Sequence, residues 1–320
     1  MRYTLEISNF YKFFRINASE LAVKKLSLEA RGTKCDLSGL LILAEEGLNG
    51  TVAGSFEAVR FFEQSLPILF GNSDWSFKRG HFGKHPFKDF RVKVRNEIVT
   101  TRQTIRGPIC AKNQLAPAEW QRMLETDPNA VLIDVRNAYE TQLGMFRGAF
   151  DPNTENFTEF PEALRKLNIP LDKRVMLYCT GGIRCEKAII EAEEQGYNEV
   201  FQLGGGILRY LEEFPHHAFE GECFVFDGRV AVDQNLNPTR NWSLCPHCGQ
   251  PGRIRIHCEF CLKEVVVCAA CREKKERQTC SHDCRYRILH QHVRAVSAAR
   301  SFIQAGVAVR QNASSFEING

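Results

Sequence analysis

The sequence lacks the long apolar segments of a membrane protein. No uninterrupted apolar run reaches about eighteen residues, and the start, MRYTLEISNF, has no apolar core of the signal-peptide kind. Internal repeats and long low-complexity segments are also missing. We therefore expect a soluble, cytoplasmic protein with no membrane partner. The 320 residues are 43% hydrophobic, which is sufficient for a substantial core divided among two or three domains.

Cysteine is abundant but unevenly placed. Of the 13 cysteines, most crowd into close pairs near the C-terminal end, in the order CPHC, CEFC, CAAC and CSHDC. The paired residues are Cys245, Cys248, Cys258, Cys261, Cys268, Cys271, Cys280 and Cys284. This pattern indicates metal ligation in a reducing compartment rather than the disulfides of a secreted protein.

The four pairs predict two structural zinc sites of four thiolates each. Their pairing is either sequential or cross-braced, and His247, His257 or His282 could replace one thiolate. Iron–sulfur clusters agree less well with hairpin-sized gaps between the pairs. We expect the metal to fold a segment with little core of its own, which presents basic residues to RNA.

Charge is distributed asymmetrically along the chain. Residues 1 to 110 contain 17 basic residues (Lys and Arg) and 11 acidic ones (Asp and Glu). Residues 111 to 240 contain 13 basic and 21 acidic residues, and residues 241 to 320 contain 12 basic and 6 acidic residues. The three parts therefore carry +6, −8 and +6, which sum to the net +4. Basic ends around an acidic middle suggest that the ends hold a polyanion, although solvated surfaces of differing composition would look the same.

The first hundred residues alternate strand-like and helix-like runs in the order β-α-β-β-α-β. This order predicts a ferredoxin-like (acylphosphatase-like) domain over residues 1–105, which we expect to bind RNA. Its last strand, FRVKVRN, places alternate basic residues on one face. With nearby positions that include Lys84, they would form a phosphate-binding surface; its main members are Lys78, Arg79, Lys88, Arg91, Lys93 and Arg95.

The middle of the chain reads as a parallel α/β domain over residues 115–220. A helix begins near Pro117, and AVLIDVRN, VMLYCTGG and EVFQLGGG are short apolar runs suited to buried parallel strands. After it we expect a Cys-rich segment over 240–290 and a basic helical tail over 291–320. The overall fold class is thus α/β and α+β, in several domains.

A glycine-rich bend follows the strand VMLY. In Cys179-Thr-Gly-Gly-Ile-Arg184, Gly181 and Gly182 allow successive backbone N–H groups to point into one concavity, which favours an anion. The positive end of the following helix and Arg184 add to the effect. We expect this site to lower the pKa of Cys179 and to make it a reactive thiolate.

The same segment resembles the rhodanese domain. DVRNAYETQLGMFRGA, the cysteine loop and LGGGILRYLE occur in the order typical of that fold over about residues 115 to 220. The resemblance implies that Asp134 and Arg136 are structural ion-pair residues. It also disfavours a cysteine phosphatase, because the loop that Arg184 closes has the shorter length found in sulfur-handling rhodaneses.

A narrower resemblance depends on YCTGGIRCEKA, with its second cysteine at 185, together with EEGLNGTVAGS, VKVRNEIVT, NFTEFP and GECFVFDGRVAV. These motifs resemble the rhodanese-type tRNA uridine hydroxylases, which convert the wobble uridine to 5-hydroxyuridine with molecular oxygen. The resemblance implies that Cys179 is catalytic and that the anticodon arm of tRNA is the partner. The segment TIRGPICAKNQ and the tail after about residue 290 match nothing in that family.

The origin of the oxidising chemistry is open, because nothing resembles a haem pocket or a flavin site and the electron donor is unknown. In one hypothesis the Cys179 thiolate adds to C6 of uracil and makes C5 nucleophilic. In another, Cys179 carries a persulfide or an oxidised sulfur, with Cys185 as the resolving thiol or merely a buried residue.

Two other functions are compatible with parts of the sequence. A rhodanese-type sulfurtransferase would pass a persulfide from Cys179. A non-enzymatic scaffold would use the zinc segment and the rhodanese domain to bind RNA or protein, although the intact loop argues against it.

Overall fold

A computed structural model of the chain describes residues 5–83, 86–101 and 113–290. The chain divides into two compact units, one ending at Thr239 and the other beginning at Arg240. Among the described residues, no helix is both long and apolar enough to cross a membrane. The expected tail over 291–320, Lys84 and most of the linker before the middle domain lie outside the described residues.

The first domain is a sheet covered on one face by two helices. Its elements are β1 (Leu5–Phe13), α1 (Leu21–Lys34), β2 (Ser38–Ala44), β3 (Gly47–Gly54), α2 (Phe56–Phe70), β4 (Phe77–Phe82) and β5 (Phe90–Val94). α2 begins where the Ser55 hydroxyl accepts a hydrogen bond from the N–H of Ala58, and it ends at Gly71, whose left-handed backbone (φ 69°) favours glycine. Leu28, Leu41 and Phe62 belong to the core between the helices and the sheet.

The strand order is β4-β1-β3-β2-β5. The sequence pattern missed β4 and took β5 as the last strand of the ferredoxin-like order. β4 instead occupies that place, antiparallel to β1, and β5 is an added edge strand parallel to β2. The sequence of β4, FKRGHF, has no alternation of apolar residues, so its pattern gave no strand signal.

The second domain has a parallel sheet of order β6-β10-β9-β7 with helices around it. Its elements are β6 (Gln114–Leu115), α3 (Pro117–Thr126), β7 (Ala130–Asp134), α4 (Ala138–Thr141), β8 (Gly144–Phe146), α5 (Phe160–Lys166), β9 (Arg174–Tyr178), α6 (Ile183–Glu194), β10 (Val200–Leu203) and α7 (Gly206–Glu213). The three apolar runs predicted as parallel strands are β7, β9 and β10, and their buried residues form a core on each side of the sheet.

Short strands extend this domain beyond α7. β11 (Phe219–Gly221) pairs with β8, and β12 (Cys223–Phe224) pairs with β13 (Ala231–Val232). At the C-terminal end of β7, the Arg136 guanidinium donates a 2.6 Å hydrogen bond to Asp134, and both side chains are fully buried. This pair has the structural role that the rhodanese resemblance implies for it.

The second unit is small and has two hairpins. β14 (Ser243–Leu244) pairs with β15 (Pro251–Gly252), β16 (Ile254–His257) pairs with β17 (Glu264–Val267), and α8 (Ala269–Arg272) follows. Its few buried apolar residues surround cysteines rather than a core of the usual size. Such a segment needs a further source of stability, which its cysteines are suited to provide.

Candidate active site

The cysteine loop joins the carboxyl end of β9 to the N-terminus of α6. Gly182 adopts φ 100°, a conformation that is strained for residues with a side chain. Its N–H donates a hydrogen bond of 3.1 Å to the Sγ of Cys179. The sulfur is thereby held beside the first turn of a 12-residue helix, whose free N–H groups favour an anion.

This environment changes the acidity of two thiols in opposite directions. Burial alone would raise the pKa of Cys179, but a hydrogen bond from Cys185, the charge of Arg184 and the backbone N–H groups of Arg184 and Gly182 lower it to about 5. Burial and the neighbouring thiolate raise the pKa of Cys185 well above its ordinary value. Cys179 is therefore a thiolate at neutral pH and Cys185 is a thiol that donates to it.

Arg184 is held in place by a carboxylate. Its guanidinium donates two hydrogen bonds to Glu140, at 2.5 and 2.7 Å, and both side chains are buried. Glu140 lies in α4, some forty residues earlier in the chain. Its carboxylate balances the positive charge of Arg184, which the sequence pattern had predicted to act on Cys179. The pair fixes the end of the loop and leaves little net charge there.

The first domain closes over this loop. The hydroxyl of Tyr11 donates a hydrogen bond of 3.2 Å to Glu186 in the first turn of α6. A methyl group added at Gly182 would lie 2.8 Å from the same hydroxyl oxygen. Sequence reasoning did not assign Tyr11 or Glu186 to the site, because their proximity arises only from the packing of the two domains.

Residues of both domains line a cavity of about 820 Å³ beside Cys179, and the cavity is open to solvent on one side. The first domain contributes polar side chains from β1 and β3, and the second contributes the cysteine loop and aromatic residues such as Tyr139 and Phe226. Amides and a hydroxyl give the wall hydrogen-bonding capacity; they include Asn9, Asn49, Thr51, Asn137 and Asn156. A concave site with aromatic surfaces and hydrogen-bonding groups suits a flat, polar ring.

Comparisons with known proteins place this site in a family. Family models match a UPF0176 acylphosphatase like domain at residues 5–98, a rhodanese-like domain at 116–213 and a rhodanase C-terminal segment at 220–285. A tRNA uridine(34) hydroxylase of Bdellovibrio bacteriovorus is 44% identical over 88% of this chain and 81% of its own. The chain belongs to the tRNA uridine(34) hydroxylase family.

A second relative agrees with this assignment. A tRNA uridine(34) hydroxylase of Legionella pneumophila is 42% identical over 72% of this chain and 91% of its own. Among solved structures, a rhodanese-like domain from Anabaena is 19% identical and covers 34% of this chain and 80% of that chain, with a TM-score of 0.29. The family assignment depends on the sequence relatives and not on that superposition.

In this member of the tRNA uridine(34) hydroxylase family, strand register separates the basic residues predicted to bind RNA. Lys78 pairs with Asn9, Asn9 with Thr51, Thr51 with Leu40, and Leu40 with Arg91. Residues that are partners across a sheet share a face, so Lys78 and Arg91 lie at opposite ends of one row on the cavity face. The neighbouring row of paired residues on the same face ends at Lys93, which pairs with Ile42.

The six basic residues predicted to bind RNA differ in exposure and in the face of the sheet on which they lie. Lys88, Arg91, Lys93 and Arg95 are exposed. Arg79 faces the other side of the sheet, where Glu63 accepts from it at 2.7 Å, so the structure does not bring it to the cavity face. Lys78 is only 7% exposed, because the second domain covers its end of the row.

The cysteines of the second unit form two clusters. Cys245, Cys248, Cys268 and Cys271 form one, Cys258, Cys261, Cys280 and Cys284 form the other, and within each the sulfurs lie within 4.8 Å of one another. The first pair in the chain thus joins the third and the second joins the fourth. The sulfurs are thus grouped in the cross-braced way, one of the two pairings that the spacing allows, and neither cluster includes a histidine.

Proposed function

We propose that this protein hydroxylates C5 of the wobble uridine of tRNA, with Cys179 as the catalytic residue and molecular oxygen as co-substrate. Membership of the tRNA uridine(34) hydroxylase family supports the substrate and the reaction. The observation that supports the role of Cys179 is its thiolate, held by the Gly182 N–H in the wall of the cavity between the two domains. Gly181, Gly182 and Arg184 shape the loop that holds it.

The anticodon arm of tRNA is the proposed partner. Single-stranded loop bases can be splayed out and inserted into a pocket, as enzymes that modify bases require. Exposed Arg91 and Lys93 lie on the edge strand of the sheet whose face lines the cavity, and exposed Arg95 follows directly after it. We infer that the first domain, residues 1–105, binds the RNA backbone with this edge while the base enters the cavity.

The first chemical step follows from the position of the thiolate. We propose that Cys179 adds to C6 of the uracil, which makes C5 nucleophilic toward oxygen. We propose that the electrons come from a donor outside this chain. If the sulfur is oxidised during turnover, Cys185 is the proposed resolving thiol, because it already donates a hydrogen bond to Cys179.

The two cysteine clusters suit structural zinc. In a tetrahedral zinc site with bonds of about 2.3 Å, the sulfurs lie about 3.8 Å apart. The distances from Cys248 to Cys268 and from Cys261 to Cys280 are 3.4 and 3.5 Å. We propose that each cluster holds one zinc ion, which folds residues 240–290. Thiolate ligands and a tRNA substrate both agree with the reducing cytoplasm as its location.

The nucleosides of cellular tRNA test the proposed function. A host strain whose tRNA lacks 5-hydroxyuridine receives the wild-type gene, Cys179→Ser or an empty vector. We expect 5-hydroxyuridine and its derivatives with the wild type only. A thiolated base that appears with the wild type and is lost with the variant would instead indicate a sulfurtransferase, and no change in any nucleoside would indicate a scaffold.

A further inference from the structure

Lys78 reaches the cysteine loop from the first domain. It belongs to β4, and its side chain crosses the interface within the larger unit to lie beside the backbone of the second domain. A carbon atom added at Gly181 would be 3.9 Å from its Cδ, and one added at Gly205 would be 3.7 Å from its Cε. The ammonium lies 4.9 Å from the ring centre of Tyr11 and lines the cavity with Cys179.

The N–H groups of the Lys78 ammonium have no acceptor among the described residues. Among the described residues, it makes no hydrogen bond and has no carboxylate within 4.0 Å. The nearest acidic side chains are engaged elsewhere: Glu186 accepts from Tyr11, and Glu212 from Arg209. Burial lowers the pKa of Lys78 to about 8, while the charge of Cys179 acts in the opposite direction. Lys78 therefore remains mostly protonated at neutral pH.

A second lysine at the same interface shows what a structural role requires. Lys187 is 1% exposed, and its ammonium donates to Glu46, to Glu97 and to the carbonyl of Val99 at 2.7 to 2.9 Å. All three of its N–H groups are satisfied. Lys78 differs from Lys187 because its ammonium has no protein acceptor and lines the cavity, so its N–H groups are free to donate to a ligand there.

We propose that Lys78 is a further catalytic residue, which donates a hydrogen bond to a carbonyl oxygen of the uracil ring and stabilises the negative charge that develops there. The proposal rests on the proposed function. When the Cys179 thiolate forms its bond to C6, the C5–C6 π pair becomes the C4–C5 double bond and the carbonyl pair moves to O4. The product is an enolate oxygen, which needs a cation or a donor beside it. This step requires no oxidant.

The sequence pattern assigned Lys78 to an outer RNA-binding surface, and the structure gives it a different neighbour. Its row across the sheet passes through Asn9 and Thr51, which also line the cavity. A ring that stacks over this row would contact amide and hydroxyl groups along its edge and Lys78 near the sulfur. The first domain thus contributes to the chemistry as well as to RNA binding.

Three variants of the full-length protein test the proposal in the host strain described above. Lys78→Met removes the charge, Lys78→Arg keeps it, and Lys12→Met makes the same change on β1 on the opposite face of the sheet. We expect Lys78→Met to slow the appearance of 5-hydroxyuridine after induction by about 10²-fold. Lys78→Arg should recover part of the rate, and Lys12→Met should keep it.

A second measurement separates a catalytic charge from a packing role. The rate at which iodoacetamide alkylates purified Cys179, followed by peptide mass spectrometry, reports the pKa of its thiol. We expect Lys78→Met to raise the midpoint of the pH profile, since the charges of Lys78 and the Cys179 thiolate attract each other and an opposite charge lowers a thiol pKa. Lys78→Arg should leave the midpoint near that of the wild type, a recovery that a packing role would not produce.

Two results would overturn the inference. One is a Lys78→Met protein that keeps the hydroxylation rate within a factor of about two; the other is a midpoint that does not move in a folded Lys78→Met protein. Cys179→Ser is measured beside them. If Cys179→Ser is inactive while Lys78→Met is active, only the role of Lys78 fails, whereas an active Cys179→Ser protein refutes the proposed function itself.

Discussion

Lys187 and Glu97 join the two domains that form the cavity, with 2.7 Å between the ammonium and the carboxylate oxygen. Lys187 lies about one turn into α6, the helix that follows the Cys179 loop, and Glu97 follows the edge strand of the first domain. Glu46 accepts from the same ammonium at 2.9 Å. The helix that begins at the cysteine loop is therefore also the helix that holds the first domain over it.

Loss of this ion pair should weaken the whole larger unit. Lys187→Met leaves two partly buried carboxylates without their shared cation, and we expect the free energy of unfolding to fall by about 3 kcal/mol. Urea denaturation followed by fluorescence measures it. Lys166→Met is the matched control, because its partner Glu162 lies on the surface and such pairs contribute about 0–1 kcal/mol. Equal losses for the two variants would contradict this account.

Gly182 should tolerate no side chain. Gly182→Ala combines a positive φ, which costs about 1–2 kcal/mol, with a contact of 2.8 Å to the Tyr11 hydroxyl. We expect it to abolish hydroxylation, as measured by tRNA nucleosides, by displacing the N–H that holds Cys179.

Two further variants separate the effect of the positive φ from the effect of the steric contact with Tyr11. Gly71→Ala has a positive φ but no atom within 4 Å of the added carbon, so it should lose stability without losing activity. Adding Tyr11→Phe to Gly182→Ala removes the steric contact and should restore part of the activity. A Gly182→Ala protein as active as the wild type would show that this loop geometry is not required.

The thiolate state of Cys179 predicts a particular pH dependence. Since the thiolate is the nucleophile, alkylation of Cys179 should accelerate as pH rises through about 5 and stay constant at neutral pH, whereas an ordinary thiol would show its midpoint near 9.0. Mass spectrometry of the alkylated peptide measures the rate. A midpoint near the ordinary value would contradict the described loop electrostatics.

Cys185 can act through its hydrogen bond or through redox chemistry, and two variants distinguish these roles. Cys185→Ser keeps a donor beside Cys179, so the alkylation midpoint should stay low, while Cys185→Ala removes the donor and should raise it. If Cys185→Ser also keeps full hydroxylation, Cys185 is not the resolving thiol. Loss of hydroxylation with an unchanged midpoint would support that role.

The cross-braced clusters predict which substitutions remove the same metal. Cys245→Ser and Cys268→Ser alter one cluster and Cys258→Ser alters the other. We expect elemental analysis to find two zinc ions in the wild-type protein and about one in each variant. Combining Cys245→Ser with Cys268→Ser should remove no more metal than either alone, and adding Cys258→Ser should remove the second. Cys35→Ser, far from both clusters in the chain, is the control and should keep both ions.

Local patterns in the sequence predicted the parts of the site that are local in the chain. The loop from Cys179 to Arg184 and the eight paired cysteines needed only spacing and glycine chemistry. The apolar runs of β7, β9 and β10 were also recognisable, because strands buried on both faces are continuously apolar.

The remaining parts depend on tertiary packing. Glu140 and Lys78 are far from Cys179 in the chain, and no pattern in the sequence indicates that either contacts the loop. Lys78 lies in a strand without apolar alternation, so its position in the sheet and its direction could not be derived. The pairing of the cysteine clusters likewise depends on how two hairpins fold together.

The central claim is that Cys179 acts on uridine with molecular oxygen, and isotopic labelling of the product tests it most directly. The host strain with the wild-type gene grows under isotopically heavy oxygen gas, and the mass of 5-hydroxyuridine from its tRNA is measured beside that from Cys179→Ser cells. We predict that the wild-type nucleoside carries one heavy oxygen atom and that the variant produces none. An unlabelled hydroxyl group, or equal product from the variant, would contradict the account.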